Sequence, residues 1–160
     1  MEWDTERVDV VVFPLTIHIT SAKAMLKSSV EVGSQNISAY KMGPYTGEIS
    51  AEQVKDFELR WTIVGHSERR KMFGETNEVV AQKVKQAQDS GLHSIVCIGE
   101  MLEQREAGTT NDVLKTQLDA FLPSVSDWNR IVIAYEPVWA IGTGKVATPE
   151  MAQETHAYIR

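Results

Sequence analysis

Five short apolar runs punctuate the chain: Val8 to Phe13, Val30 to Gln35, Trp61 to Gly65, His93 to Gly99 and Ile131 to Tyr135. They are dense in β-branched residues, and most lack the polar alternation of a half-exposed sheet. That is the pattern of strands covered on both faces, with the second run the weakest. Pro14 ends the first run, and Pro137 follows the last after a single intervening residue, Glu136. Between the runs the periodicity becomes helical. One helix is predicted from about Ser21 to Ser28, and Ser50-Ala51-Glu52-Gln53 has the form of a capping box that starts another. A longer helix runs from about Thr76 to Asp89 and closes at Gly91. Thr110 is read as the cap of a helix reaching about Phe121. Thr148-Pro149-Glu150 supplies a cap, a proline at the first helical position and an acidic first turn for a last helix to Arg160.

Strand and helix alternate throughout, with successive strands roughly 20 to 40 residues apart, which argues for parallel βαβ units and an α/β fold. No low-complexity linker or composition shift interrupts the chain, so residues 1–160 read as a single domain. Five parallel strands fit an open doubly wound sheet. They fit equally an arc of an eight-stranded barrel, whose usual length is ~250 residues. Strand counting leaves both open.

Composition narrows the partners more than the fold. A formal net charge of -6 argues against nucleic acid or an anionic membrane surface. No run approaches the ~20 apolar residues of a membrane span. The chain opens without a charged-then-apolar leader, and its one cysteine, Cys97, suits a reducing compartment, so a cytoplasmic location is expected. Cys97 lies inside an apolar run and reads as core packing rather than as a nucleophile. No metal-ligand spacing is present.

The candidate chemistry sits where strands end. Glu136 is a lone carboxylate at the C-terminal end of the fifth run, and His66 ends the third run in the same way. In a parallel sheet or barrel both arrive at the C-terminal face, where such folds keep their sites. Ser67 and Glu68 then read as the cap and acidic first turn of a short helix. Its positive end would disfavour the protonated imidazole. An uncharged imidazole can polarise a carbonyl oxygen while a carboxylate takes a proton from the adjacent carbon, so the pair suits proton abstraction alpha to a carbonyl. His18, His93 and His156 have no such setting. The segment Gly142-Thr143-Gly144-Lys145 invites a nucleotide reading but fails on detail. A phosphate-binding loop needs glycine where Trp139 stands and Ser or Thr where Val146 stands. A dinucleotide fingerprint should follow its strand directly, whereas Glu136 to Ile141 intervene. The glycines suit a loop that folds over a ligand and offers backbone N–H groups to an anion.

The segment Ala134-Tyr135-Glu136-Pro137-Val138-Trp139-Ala140-Ile141-Gly142-Thr143-Gly144-Lys145 resembles the signature of the triosephosphate isomerase family. Val64-Gly65-His66-Ser67-Glu68-Arg69-Arg70 and Cys97-Ile98-Gly99-Glu100 resemble that family's two other strand-end motifs. The resemblance runs in order along essentially the whole chain. It implies a (β/α)8 TIM barrel, here partial, holding about strands two to six of the eight. The family's N-terminal strand, with its Asn-x-Lys pair, and strands seven and eight have no counterpart.

For the reaction, the resemblance implies interconversion of dihydroxyacetone phosphate and D-glyceraldehyde 3-phosphate through an enediolate, with neither cofactor nor metal. Glu136 would be the base and His66 the electrophile, with Ser67 and Glu68 in support. Residues Pro137, Val138, Trp139, Ala140, Ile141, Gly142, Thr143, Gly144 and Lys145 would form the lid, Gly142 giving its N–H to the substrate phosphate. Thr46 and Gly47 would be the tip of a dimer loop in a homodimer, which accounts for a turn-rich segment that also carries Tyr40, Met42 and Tyr45. The alternative is that the 160-residue chain alone is an inactive fragment of that enzyme. A nucleotide-binding α/β domain is the remaining reading from another class.

Overall fold

In the computed structural model, which describes residues 3–160, each of the five apolar runs becomes a strand. These are β1 (Val10–Val12), β2 (Val30–Ser34), β3 (Trp61–Val64), β4 (His93–Ile98) and β5 (Ile131–Tyr135). They hydrogen-bond in chain order, all parallel, as one five-stranded sheet. β1 is shorter than its apolar run because only Val10 to Val12 find partners, Val30 to Val32 of β2. The helices are α1 (Ile19–Met25), α2 (Ala51–Asp56), α3 (Ser67–Phe73), α4 (Asn77–Asp89), α5 (Leu102–Glu106), α6 (Thr110–Phe121) and α7 (Pro149–Ile159). Each connection leads from one strand to its neighbour, as in a barrel wound in sequence order. The fold is a partial TIM barrel, an arc of five strands backed by helices.

Most predicted boundaries survive for the reasons given by their residues. Ser50 and Gln53 form the reciprocal capping box, Thr76 caps α4 through Val79 N–H, and Thr148 caps α7 with Pro149 at its first position. Two differ. Thr110 is the first residue of α6 rather than its cap, because Thr109 occupies the flanking position. Ser67 likewise lies inside α3, and His66 is the cap.

The core lies between the strands and the outer helices. Registering Thr62 with Ser94 and Val64 with Val96 puts one set of alternating positions against α4 and α6. There Val64, Val80, Val84, Val96, Leu114 and Phe121 are fully buried. The other set, Trp61, Ile63, Ile95 and Val132, faces the concave side and stays half-buried, with Val132 45% exposed. Glu136 continues the concave set of β5 beyond the strand end. Among the described residues, β1 and β5 each carry one unpaired edge. No helix of the described residues is long and apolar enough to cross a membrane.

Candidate active site

The chain beyond β3 turns through Gly65, whose φ of +71° is a left-handed value that glycine adopts without strain. A Cβ there would also press on Val80 Cγ1 at 3.0 Å. This turn delivers His66 to the first position before α3. Imidazole is not a usual cap, but His66 Nδ1 accepts the N–H of Glu68 at 3.3 Å. A nitrogen that accepts cannot carry the proton, so in this arrangement the ring proton is on Nε2. Nε2 lies 3.0 Å from Glu136 Oε1 and donates to it. The Glu68 carboxylate is 3.7 Å from Nδ1, too far to compete with the backbone N–H.

Glu136 is brought to the same rim by β5, whose ladder its own N–H extends to Ile98 C=O at 2.8 Å. Its side chain is 15% exposed and receives three donors: His66 Nε2, Ser67 N–H at 3.0 Å on Oε2 and Ser67 Oγ at 3.0 Å on Oε1. Every donor comes from the Gly65 turn and the first residue of α3. Two strand ends separated by a whole βαβ unit therefore meet in a carboxylate–imidazole contact. Cys97 lies beside them with its thiol buried. Burial, with the Glu136 carboxylate adding, pushes that thiol up to about 12, so it packs and does not act as a nucleophile.

Pro137 ends the strand and a 3-10 turn follows over Val138–Ala140. Trp139 is 4% exposed, and its Nε1 donates to Tyr135 Oη at 3.3 Å. Arg105 of α5 covers the Trp139 ring at 4.5 Å from its centroid and pairs with the buried Glu100 carboxylate at 3.0 Å. Glu100 also accepts from Tyr135 Oη at 3.0 and 3.1 Å, and burial pushes the Tyr135 phenol above its ordinary value. Beyond the turn the segment is tethered lightly. Thr143 Oγ1 donates to Trp139 C=O at 2.7 Å and accepts Lys145 N–H at 3.2 Å, while the exposed Lys145 ammonium meets Glu106. Gly142 and Gly144 have φ of +70° and +78°, with nothing within 4 Å of where a Cβ would stand. The loop is thus anchored at Trp139 and open beyond it, seven residues after the strand, where no nucleotide motif would sit.

Sequence reasoning brought His66 and Glu136 together, and the structure does the same while adding Ser67, which sequence reasoning read as a cap, as a donor to the carboxylate. It missed the Glu100–Tyr135–Arg105–Trp139 network and a second one in which Arg69 and Lys83 both pair with the buried Glu75. Thr46 and Gly47 are exposed at the tip of their loop, where Tyr40 and Tyr45 stack at 4.6 Å. That tip borders a cleft of about 650 Å³ lined also by Phe13, His66, Glu68 and Phe73. Among the described residues no three His, Cys, Asp or Glu are placed to hold a metal ion.

The arrangement defines a class: an α/β-barrel chain with a carboxylate and an imidazole in contact at the C-terminal rim, followed by a glycine-containing loop. The family model described as triosephosphate isomerase matches residues 1–160. The chain is 53% identical over 153 residues to a chloroplastic triosephosphate isomerase of Secale cereale, covering 96% of this chain and 51% of the relative. It is 51% identical to the triosephosphate isomerase of Paracoccidioides lutzii, across 95% of this chain and 62% of that one. It is also 49% identical to a cytosolic triosephosphate isomerase of Oryza sativa subsp. japonica, across 98% and 62%. This chain belongs to the triosephosphate isomerase family. It spans between about half and two thirds of the length of these relatives.

Proposed function

We propose that the whole protein interconverts dihydroxyacetone phosphate and D-glyceraldehyde 3-phosphate, and that this chain supplies its base, its electrophile and its lid. The observation that carries the reading is the 3.0 Å contact between His66 Nε2 and Glu136 Oε1, at the rim of a parallel sheet. The Glu136 carboxylate removes a proton from C1 of the bound ketone while His66 Nε2–H hydrogen-bonds the C2 carbonyl oxygen. Electrons from the broken C–H bond form the C1–C2 double bond, and negative charge develops on that oxygen, where the N–H stabilises it. The proton returned by Glu136 to C2, with proton transfer between the two oxygens, completes the aldose. This division of labour is the family's known one.

Before substrate binds, His66 and Ser67 hold the carboxylate, so it must exchange these donors for the substrate carbon. Ser67 fixes its resting position, and Glu68 supports the site by fixing the His66 tautomer through its N–H. Pro137 to Lys145 close over the substrate, and Gly142, whose surroundings are open, offers its N–H to the phosphate. Thr46 and Gly47 form the tip of the loop that reaches a second copy in a homodimer. The exposed aromatic and methionine side chains around it support that reading. The cytoplasm is the proposed location, in keeping with the cytosolic relative.

Two variants of the whole protein test the roles. Glu136→Asp shortens the arm by about a bond length and is expected to lower kcat by about 10²-fold or more. His66→Gln is expected to lower kcat more than it raises KM; the reverse would make His66 a binding residue only.

A further inference from the structure

The end of β4 holds the backbone of the base and the start of the lid, and several side chains hold it in turn. Arg70 donates to Cys97 C=O at 3.3 Å, and Arg105, Thr110 and Tyr135 hold the Glu100 carboxylate. Ile98 C=O accepts Glu136 N–H at 2.8 Å, and Glu100 C=O accepts Trp139 N–H at 3.2 Å. The residue between them, Gly99, packs against the backbone of Glu136 with no room for a side chain. A Cβ on it would lie 1.9 Å from Glu136 C=O and 3.1 Å from Val138 Cγ2. Both backbone polar groups of Gly99 are taken by the amide of Gln117 on α6. Gly99 N–H donates to Gln117 Oε1 at 2.9 Å, and Gln117 Nε2 donates to Gly99 C=O at 3.1 Å. A primary amide matches a backbone N–H and C=O in this two-point way, which a hydroxyl or a carboxylate cannot do. The neighbours of Gly99 have restraints of their own, but the two polar groups of Gly99 itself have no side-chain partner besides Gln117 among the described residues. Gly99, Gln117, Glu136 and Val138 line a cavity of about 390 Å³ that also reaches Ser67. Without the amide, both Gly99 groups would turn to that space and the strand end would drift away from Glu136.

We propose that Gln117 is a positioning residue for the base, setting the location of the Glu136 carboxylate through the backbone of Gly99. This rests on the isomerase reading given above. Gln117 touches neither substrate nor Glu136 itself. Its effect therefore falls on turnover and depends on the length of the arm that carries the carboxylate.

The test is steady-state kinetics of Gln117→Leu in the whole protein, on the wild-type and the Glu136→Asp backgrounds, beside thermal unfolding of each. A carboxylate displaced by up to about 1 Å is expected to cost about 10- to 100-fold in kcat with KM within about 2-fold. On the Glu136→Asp background, where the carboxylate is already displaced, the same change is expected to cost less than about 3-fold. Gln117→Glu keeps the side-chain shape and an acceptor for Gly99 N–H but sets a carboxylate against Gly99 C=O. It is expected to act in the same direction, and it serves should the leucine variant fail to fold. Equal losses on both backgrounds, an effect confined to KM, or an unchanged kcat would each overturn the assignment. Absence of triose phosphate isomerisation by the wild-type whole protein would instead remove the isomerase reading, whatever Gln117 does.

Discussion

Gly99→Ala is the smallest change that should reach the base without touching it. The added Cβ would lie 1.9 Å from Glu136 C=O, where ordinary contact begins at 3.4 Å. The atom in the way is the Glu136 carbonyl oxygen, which accepts Val138 N–H at 2.8 Å while the same residue's N–H donates to Ile98 C=O at 2.8 Å, so no side-chain rotation relieves the clash. The ends of β4 and β5 must separate by about 1.5 Å, the difference between those two distances. Overpacking of this kind costs typically 1–3 kcal/mol of stability. The larger effect is kinetic: a carboxylate carried about 1 Å off its line loses about 10²-fold in kcat. Gly108→Ala is the matched control. Gly108 has φ +72° and open space where a Cβ would go, so alanine there incurs about 1–2 kcal/mol of left-handed strain without a clash against Glu136. Steady-state kinetics with thermal unfolding on both variants separates the two effects. Gly99→Ala retaining kcat within about 3-fold of wild type would refute the argument that this contact fixes the base.

Two further outcomes concern stability. Lys83 and Glu75 have side chains 4% and 6% exposed, so Lys83→Met leaves the carboxylate buried with Arg69 alone and is expected to destabilise by about 3 kcal/mol. The double variant Lys83→Met/Glu75→Gln should recover much of that in denaturant unfolding, and strict additivity would contradict the pairing. Burial lowers the pKa of His93, which stacks on Trp61 at 4.6 Å; Arg60 and Arg130 lower it further against Glu31 and Asp127. Because the folded value lies below the unfolded value of about 6.5, the unfolded chain binds the proton more readily, and stability falls as pH drops through that value. His93→Phe should flatten this part of a plot of melting temperature against pH; an unchanged slope would contradict it.

The sequence carried the frame and the reacting pair because both are written locally. Strands appear as apolar runs, and Thr76, Thr148 and Pro149 mark helix starts by what their own atoms can do. Glu136 and His66 stand out because each interrupts or ends an apolar run, and parallel strands then bring them together. The cap of α3 was misplaced because serine is the usual capping residue, whereas here an imidazole nitrogen takes that role. What stayed hidden was set by packing between distant elements. Tyr135 meets Glu100 across 35 positions of sequence, and Gln117 meets Gly99 across 18, with no periodicity to announce either. Gln117 in particular reads as an ordinary polar residue of a surface helix.

The central claim is that Glu136 carries a proton between adjacent carbons of the substrate. Incubating the whole protein with dihydroxyacetone phosphate in heavy water tests it most directly, with the recovered ketone read by NMR. A single base that exchanges its proton with solvent should place deuterium on C1 of the recovered ketone, and Glu136→Gln should reduce that incorporation by about 10³-fold or more. Incorporation surviving undiminished in Glu136→Gln would contradict the assignment.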